Sequence, residues 1–201
     1  MTRIIGITGR SGAGKGVACE IFQKHGIPAI DTDAVYHEIL TTQNECTSEL
    51  LQAFGKEILN ENGLVERQKL AARIFGKENT PALLHSLNSI THKYIMAKTW
   101  DMVRVLCEQN ARAVLIDAPQ LFEAGLEKEV DLTLGVIAPD AICIARIMAR
   151  DGISRDNAAK RLAAQHDNDY FRAHCTAVIE NAGTMQELEA QICQFLKEFG
   201  V

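Results

Sequence analysis

Gly9-Arg10-Ser11-Gly12-Ala13-Gly14-Lys15 places two glycines and a lysine at the spacing Gly-x4-Gly-Lys, with a third glycine between them. Glycines let successive backbone N–H groups turn inward as an anion-binding nest, and the lysine adds a full charge that reaches the outer phosphates of a nucleoside triphosphate. The chemistry is phosphate binding, with Ser11, Gly12, Ala13, Gly14, Lys15, Gly16 and Val17 as the expected contacts. The pattern ordinarily continues with a serine or threonine whose hydroxyl ligates magnesium. Here Gly16 and Val17 follow the lysine, and neither carries a hydroxyl.

Carboxylates and cations with related potential are spread along the chain. A short apolar run at residues 27–30 ends in Asp31-Thr32-Asp33, and ligands of parallel α/β sheets bind at the carboxyl ends of strands. Asp31 either caps the next helix or joins the site, while Asp33 is the better functional candidate. Asp117 directly follows the apolar run 113–116, the usual form of a carboxylate that holds magnesium, often through water. Glu123, in the loop 120–125, meets either a polar ligand or solvent. Arg146 and Arg150 stand four apart and so project from one helical face. Arg155, Lys160 and Arg161 follow on another helix, which is either a solvated face or part of a lid. His92 reads by default as a structural helix histidine.

These groups need elements to hold them. An apolar strand at residues 4–9 feeds the glycine loop, and a helix over 15–25 follows, with Val17, Ala18, Ile21 and Phe22 on its apolar face and Gly26 as its stop. Residues 35–75 are helical in pieces, with turns at Asn60-Glu61-Asn62-Gly63 and Gly76. That stretch is too helical to add strands and is expected as a helical cap. Thr80-Pro81 reads as an N-cap followed by proline at the first helical position, opening a helix that runs to about residue 109 with a bend near 88–91. Strands follow at 113–116, 132–137 and 177–179, with a helix over 140–150 and an N-cap at Ser154. Thr184 and Glu187 form a capping box that opens a last helix with Leu188, Ile192, Phe195 and Phe199 on its apolar face.

A chain of 201 residues with 47% hydrophobic and 23% charged residues is expected to form one domain with a substantial core. The net charge of −5 argues against a surface built to hold nucleic acid. Six scattered cysteines without a C-x-x-C pair predict reduced thiols and a cytoplasmic location. No segment is expected to span a membrane, because the most apolar late window, 132–149, is interrupted by Pro139, Asp140 and Arg146.

Taken in order, the motifs resemble the dephospho-CoA kinase family over nearly the whole chain. They are I-G-I-T-G with the glycine loop, I-D-T-D at 30–33, L-F-E-A-G at 121–125, R-x-M-x-R-D-G-I-S at 146–154, Gln165, and V-I-E-N-A-G at 178–183. The resemblance implies an α/β, three-layer P-loop kinase fold with a five-stranded parallel sheet. It further implies a single domain over 1–201, with a helical CoA-binding region at about 34–110 and a helical lid at about 140–166. The implied reaction is transfer of the ATP γ-phosphoryl to the ribose 3′-hydroxyl of dephospho-CoA, with ATP as co-substrate, Mg2+ as metal and dephospho-CoA as the small-molecule partner. Oligomeric state is expected to be a monomer or weak homo-oligomer. By the same resemblance, Asp33 orients or deprotonates the hydroxyl, Lys15 and Arg150 act on the phosphoryl, and Arg146 serves the nucleotide. His92, Asp117 and Glu123 face substrate, with Asp117 also the magnesium carboxylate through water, and Asn181 with Gly183 lines the adenine pocket. Gly16, Val17, Lys93 and Gln120 depart from the family pattern. Two alternatives stand beside this reading: another nucleoside or nucleotide kinase of the same fold, and an ATP-binding member whose catalysis is impaired at Gly16 and Val17.

Overall fold

The computed structural model describes residues 2–76 and 81–201. Five strands form one sheet in the order β2-β3-β1-β4-β5. They are β1 (Arg3–Gly9), β2 (Ala29–Asp31), β3 (Ala113–Asp117), β4 (Leu132–Ile137) and β5 (Ala177–Glu180). β1 is central and runs parallel to both neighbours, with Ile5 opposite Leu115 on one side and Leu132 on the other. β3 and β4 are buried along their whole length and read as unbroken apolar runs, as strands covered on both faces do. The chain leaves β1 for the sheet edge at β2 and returns beside β1 as β3, so the order reverses at the carboxyl end of the central strand. Ligand crevices of parallel sheets form at such a point.

The chain forms two compact units, residues 1–30 with 105–201, and Asp31–Arg104. The first holds the sheet with α1 (Lys15–Lys24), α6 (Asp140–Asp151), α7 (Arg155–Ala163), α8 (Asn168–His174) and α9 (Met185–Glu198). Its core joins Ile5, Ile7, Leu115, Leu134 and Val136 of the sheet to Phe22, Cys143, Ile147, Ala158 and Leu162, and to Leu188, Ile192 and Phe195 of α9. Phe22 and Phe195 meet edge to face at 5.9 Å, a preferred aromatic geometry. Both predicted caps form. Ser154 Oγ accepts from the Asn157 N–H, and Thr184 and Glu187 close their capping box.

The second unit contains α2 (Thr32–Leu40), α3 (Glu45–Phe54) and α4 (Arg67–Phe75), and it ends within α5 (Pro81–Glu108). Asp31 caps α2: its Oδ1 accepts from the N–H groups of Asp33 at 2.8 Å and Ala34 at 3.2 Å. Between α3 and α4 lie a 3₁₀ turn at Lys56–Ile58 and an antiparallel bridge pairing Leu59 with Val65. The bridge closes around Asn60, whose Oδ1 accepts from Asn62 and Leu64 N–H groups at 3.0 Å.

Some boundaries differ from those read in the sequence. The strand expected over 27–30 begins at Ala29, because Ile27 still closes the end of α1 through its N–H on the Phe22 carbonyl, and Pro28 has no N–H to give. The proline carbonyl does take part, accepting from Leu115 N–H at 2.8 Å. Helix α5 runs through 88–91 as one helix, with Thr91 Oγ1 bonded back to the Leu87 carbonyl. The N-cap expected at Thr80 lies outside the described residues.

Candidate active site

The glycine loop leaves β1 at Gly9 and enters α1 at Lys15. Two of its glycines are required by conformation and by crowding. Gly12 has φ +78°, and a Cβ there would lie 2.5 Å from the Cys143 carbonyl oxygen. Gly14 has φ +95°, and its Cβ would lie 2.0 Å from Asn181 Nδ2. Backbone therefore approaches backbone and amide more closely than any side chain allows. Gly16, the second residue of α1, is different: a Cβ there would meet nothing within 4 Å.

Asn181 and Arg146 brace the loop from behind. Asn181 is buried; its Nδ2 donates to the Ala13 carbonyl at 2.8 Å, and its own N–H donates to the Ile137 carbonyl at 2.8 Å. Arg146 Nη1 donates to the carbonyls of Gly12 (3.2 Å), Ala13 (3.3 Å) and Asn181 (3.3 Å). One guanidinium thus satisfies carbonyl oxygens of Gly12 and Ala13 in the loop and of Asn181 behind it. Gly183 lines an open depression of about 530 Å³ with Glu180, Ala182, Glu187, Ala190 and Gln191.

Lys15 Nζ donates to Asp117 Oδ1, and Cys19 Sγ, one helical turn beyond the lysine, lies 3.5 Å from Asp117 Oδ2. Strand β3 ends at Asp117 beside Ile7 of β1, which is why the carboxylate reaches the start of α1. Arg150 is two-thirds exposed and forms a fork with Asp151, Nε to Oδ1 at 2.7 Å and Nη2 to Oδ2 at 3.0 Å. The pairing holds the Asp151 carboxyl below its usual range, with a smaller contribution from Arg161. Arg150 Nη2 also donates to Ser11 Oγ at 3.3 Å, and the Ser11 N–H donates to Gln165 Oε1 at 2.9 Å.

The structure therefore gathers Ser11 through Val17 with Arg146, Arg150, Asp117 and Asn181 at one end of the sheet. Glu123 faces His166 at 3.6 Å, and the His166 ring stacks on Tyr170 with centroids 3.6 Å apart. Asp33 and His92 belong to the helical unit, Asp33 exposed in the first turn of α2 and His92 half-buried in α5. On that unit, Lys93 and Tyr94 both bond Glu49, at 2.7 and 2.6 Å. Sequence reasoning missed Arg10 and Cys19. The only signal for Arg10 was a bulky charged residue inside a glycine-rich turn. That for Cys19 was its position four residues after Lys15 on a helix.

The model describing dephospho-CoA kinase matches residues 3–187. This chain belongs to the dephospho-CoA kinase family. A dephospho-CoA kinase from Carboxydothermus hydrogenoformans is 34% identical over 196 residues, covering 98% of this chain and 94% of the relative. A crystal structure of a Thermus thermophilus protein superposes with a TM-score of 0.82 at 30% identity, covering 98% of this chain and 97% of that one. A dephospho-CoA kinase from Campylobacter jejuni shares the fold, with a TM-score of 0.64 at 22% identity over 98% of this chain and 97% of that one. Dephospho-CoA kinases are ATP-dependent phosphotransferases. The five-stranded parallel sheet of this chain is that of the P-loop kinases. Among the described residues, no helix is long and apolar enough to cross a membrane, and all six cysteines are thiols.

Proposed function

We propose that this chain transfers the γ-phosphoryl of ATP to the ribose 3′-hydroxyl of dephospho-CoA, with Lys15, Arg150 and Asp33 as the residues that act on the reacting atoms. The observation that carries the reading is the loop itself: its Gly12 and Ala13 carbonyls are held by Arg146 and Asn181, and Lys15 stands at its helical end against Asp117. Phosphoryl transfer has a loose transition state, so the protein's task is in-line positioning and charge stabilisation. Lys15 and the loop N–H groups hold the β- and γ-phosphates, and Arg150 meets charge on the moving phosphoryl. The helical unit Asp31–Arg104 takes dephospho-CoA, with His92 on its long helix, and Asp33 accepts a hydrogen bond from the attacking hydroxyl. Residues 140–166 serve as the lid, Glu123 flanks its end, and Gly183 with its depression supports adenine binding.

The donor chemistry suits Mg2+. Magnesium keeps several waters and is bound by one or two carboxylates with substrate phosphates; Asp117 supplies a carboxylate, and the open space at Gly16 accommodates water where a hydroxyl stands in other P-loop kinases. Asp117 would hold magnesium there, and the ion would supply charge neutralisation for the transfer. Weaker metal affinity than in members with a hydroxyl at this position follows from the missing ligand. The acidic net charge argues against a nucleic-acid partner, a cytoplasmic location suits six reduced thiols, and the chain acts as a monomer or weak homo-oligomer.

The direct test is conversion of dephospho-CoA to CoA by the purified protein with ATP and magnesium, alongside adenosine, AMP and CMP as acceptors. Preference for one of the latter would favour a different small-molecule kinase, and ATP binding without transfer to any acceptor would favour a member impaired at Gly16 and Val17. Asp33→Asn should bind ATP nearly normally while losing about two or more orders of magnitude in rate, the usual scale for a general base. Full turnover by that variant would remove Asp33 from the chemistry.

A further inference from the structure

Arg10 occupies a position in the glycine loop that needs no side chain for phosphate binding, yet its guanidinium is among the most buried charges in the molecule, at 6% exposure. Nη1 donates to Asp140 Oδ1 at 2.5 Å and Nη2 donates to the Leu162 carbonyl at 3.3 Å, while the backbone carbonyl of Arg10 accepts from Ala13 N–H at 3.0 Å. Asp140 is the first residue of α6, and Leu162 lies in the last turn of α7. One planar fork therefore fastens the start of one helix and the end of the next to the loop, a task that a lysine's single point charge does not reproduce. Downstream, α6 returns to the same loop through Arg146 and Arg150, and Gln165, just past α7, accepts from the Ser11 N–H. Burying a guanidinium is costly unless it is paired. Its partner Asp140 is 65% exposed, so this arginine adds little net stability as a salt bridge and much geometric definition.

We propose that Arg10 is a positioning residue for phosphoryl transfer: it locks α6 and α7 to the phosphate loop and so sets where Arg150 and Gln165 stand relative to Ser11. The inference rests on the reading of Arg150 as the arginine that meets the transferring phosphoryl, and it gives the lid 140–166 fixed points of attachment to the loop at Asp140 and Leu162.

Asp140 is the better handle for the test, because it is exposed and its isosteric replacement leaves no cavity. Asp140→Asn and Asp140→Glu would be compared with wild type in three measurements: hydrogen exchange of residues 140–166, kcat, and KM for ATP. Asp140→Asn should raise exchange in this segment by about tenfold or more and lower kcat by about tenfold, with KM for ATP changed by less than about threefold. Asp140→Glu, which keeps the charge, should recover most of both, and adding Arg10→Ala to Asp140→Asn should raise exchange in α7 further, because the bond to the Leu162 carbonyl is lost as well. Unchanged exchange and kcat in Asp140→Asn would overturn the proposal, as would a glutamate variant as damaged as the asparagine one. Faster exchange with intact kcat would overturn the positioning role of Arg10 while leaving Arg150's part standing, whereas absence of CoA formation in wild type would instead overturn the proposed activity.

Discussion

Serine at position 16 is the most informative single change. Gly16 has no left-handed backbone angle, and a Cβ built on it meets nothing within 4 Å, so a side chain enters without displacing a neighbour. Within α1, serine is preferred over glycine by a few tenths of a kcal/mol, so the fold should hold or gain slightly. On the proposed reading, the hydroxyl would take a place at the metal otherwise filled by water. Immobilising an ordered water costs between 0 and about 2 kcal/mol, and a tethered hydroxyl avoids most of that. A central value of about 1 kcal/mol corresponds to roughly fivefold in affinity. Gly16→Ser should therefore lower the magnesium concentration for half-maximal CoA formation by about fivefold, at saturating ATP and dephospho-CoA. Binding of Mn2+ to the ADP complex, followed by electron paramagnetic resonance, should tighten by a similar factor independently of turnover. Gly16→Ala serves as the control, since it carries the helix-propensity gain without the oxygen. Equal metal dependence in wild type, Gly16→Ala and Gly16→Ser would refute the reasoning and place the metal away from the start of α1.

The contrasting substitution is Gly14→Ala. Its φ of +95° costs an L-residue about 1–2 kcal/mol, and the new Cβ, 2.0 Å from Asn181 Nδ2, displaces an amide whose loss of a buried hydrogen bond costs about 1–3 more. Thermal unfolding should show the summed loss and ATP should no longer raise the midpoint; wild-type behaviour would mean that the loop relaxes freely. Alkaline pH should weaken the fold through two thiols. Burial pushes Cys46 up to about 11, aided by the Glu49 carboxylate, and pushes Cys175 up to about 11 as well, against an ordinary value of 9.0. The unfolded chain then releases these protons near pH 9 while the folded one keeps them, so their stabilisation is complete below 9 and is lost as pH rises through about 11. Urea midpoints measured from pH 8 upward should fall across that window, and Cys46→Ala with Cys175→Ala should flatten the fall. A slope unaffected by the double variant would assign the loss to other groups.

What the sequence made legible was local. Strand β4 coincides with the apolar run 132–137, and β3 differs from 113–116 only by ending on Asp117 itself. The capping signals at Ser154 and at Thr184 with Glu187 hold because donor and acceptor are three residues apart. Asp31, left open between cap and site, is a cap for the same local reason. Long-range pairing was not legible. Helical spacing put Arg146 and Arg150 on one face, yet Arg146 reaches the loop carbonyls while Arg150 reaches Ser11 Oγ and Asp151. Which carbonyl or hydroxyl a guanidinium meets depends on the element that folds against it, and no spacing rule encodes that. Arg10, 130 residues from Asp140, is the extreme case.

The pairings around the loop also bear on how substrate affinity arises. A phosphate that takes Lys15 must do so against Asp117, and one that takes the Ser11 N–H must do so against Gln165. Each contact made to the nucleotide is therefore an exchange of partners, and its net contribution is the small difference between two charge-assisted or polar bonds. The exchange is least costly where the displaced partner gains elsewhere. On the proposed reading, Asp117 would leave a cation and gain a divalent metal, with Cys19 Sγ at 3.5 Å helping to keep the carboxylate oriented. Metal and nucleotide should accordingly bind with positive coupling, each tightening the other by the same factor. With no hydroxyl at Gly16 to hold the ion independently, that coupling should be stronger in this chain than in its Gly16→Ser variant.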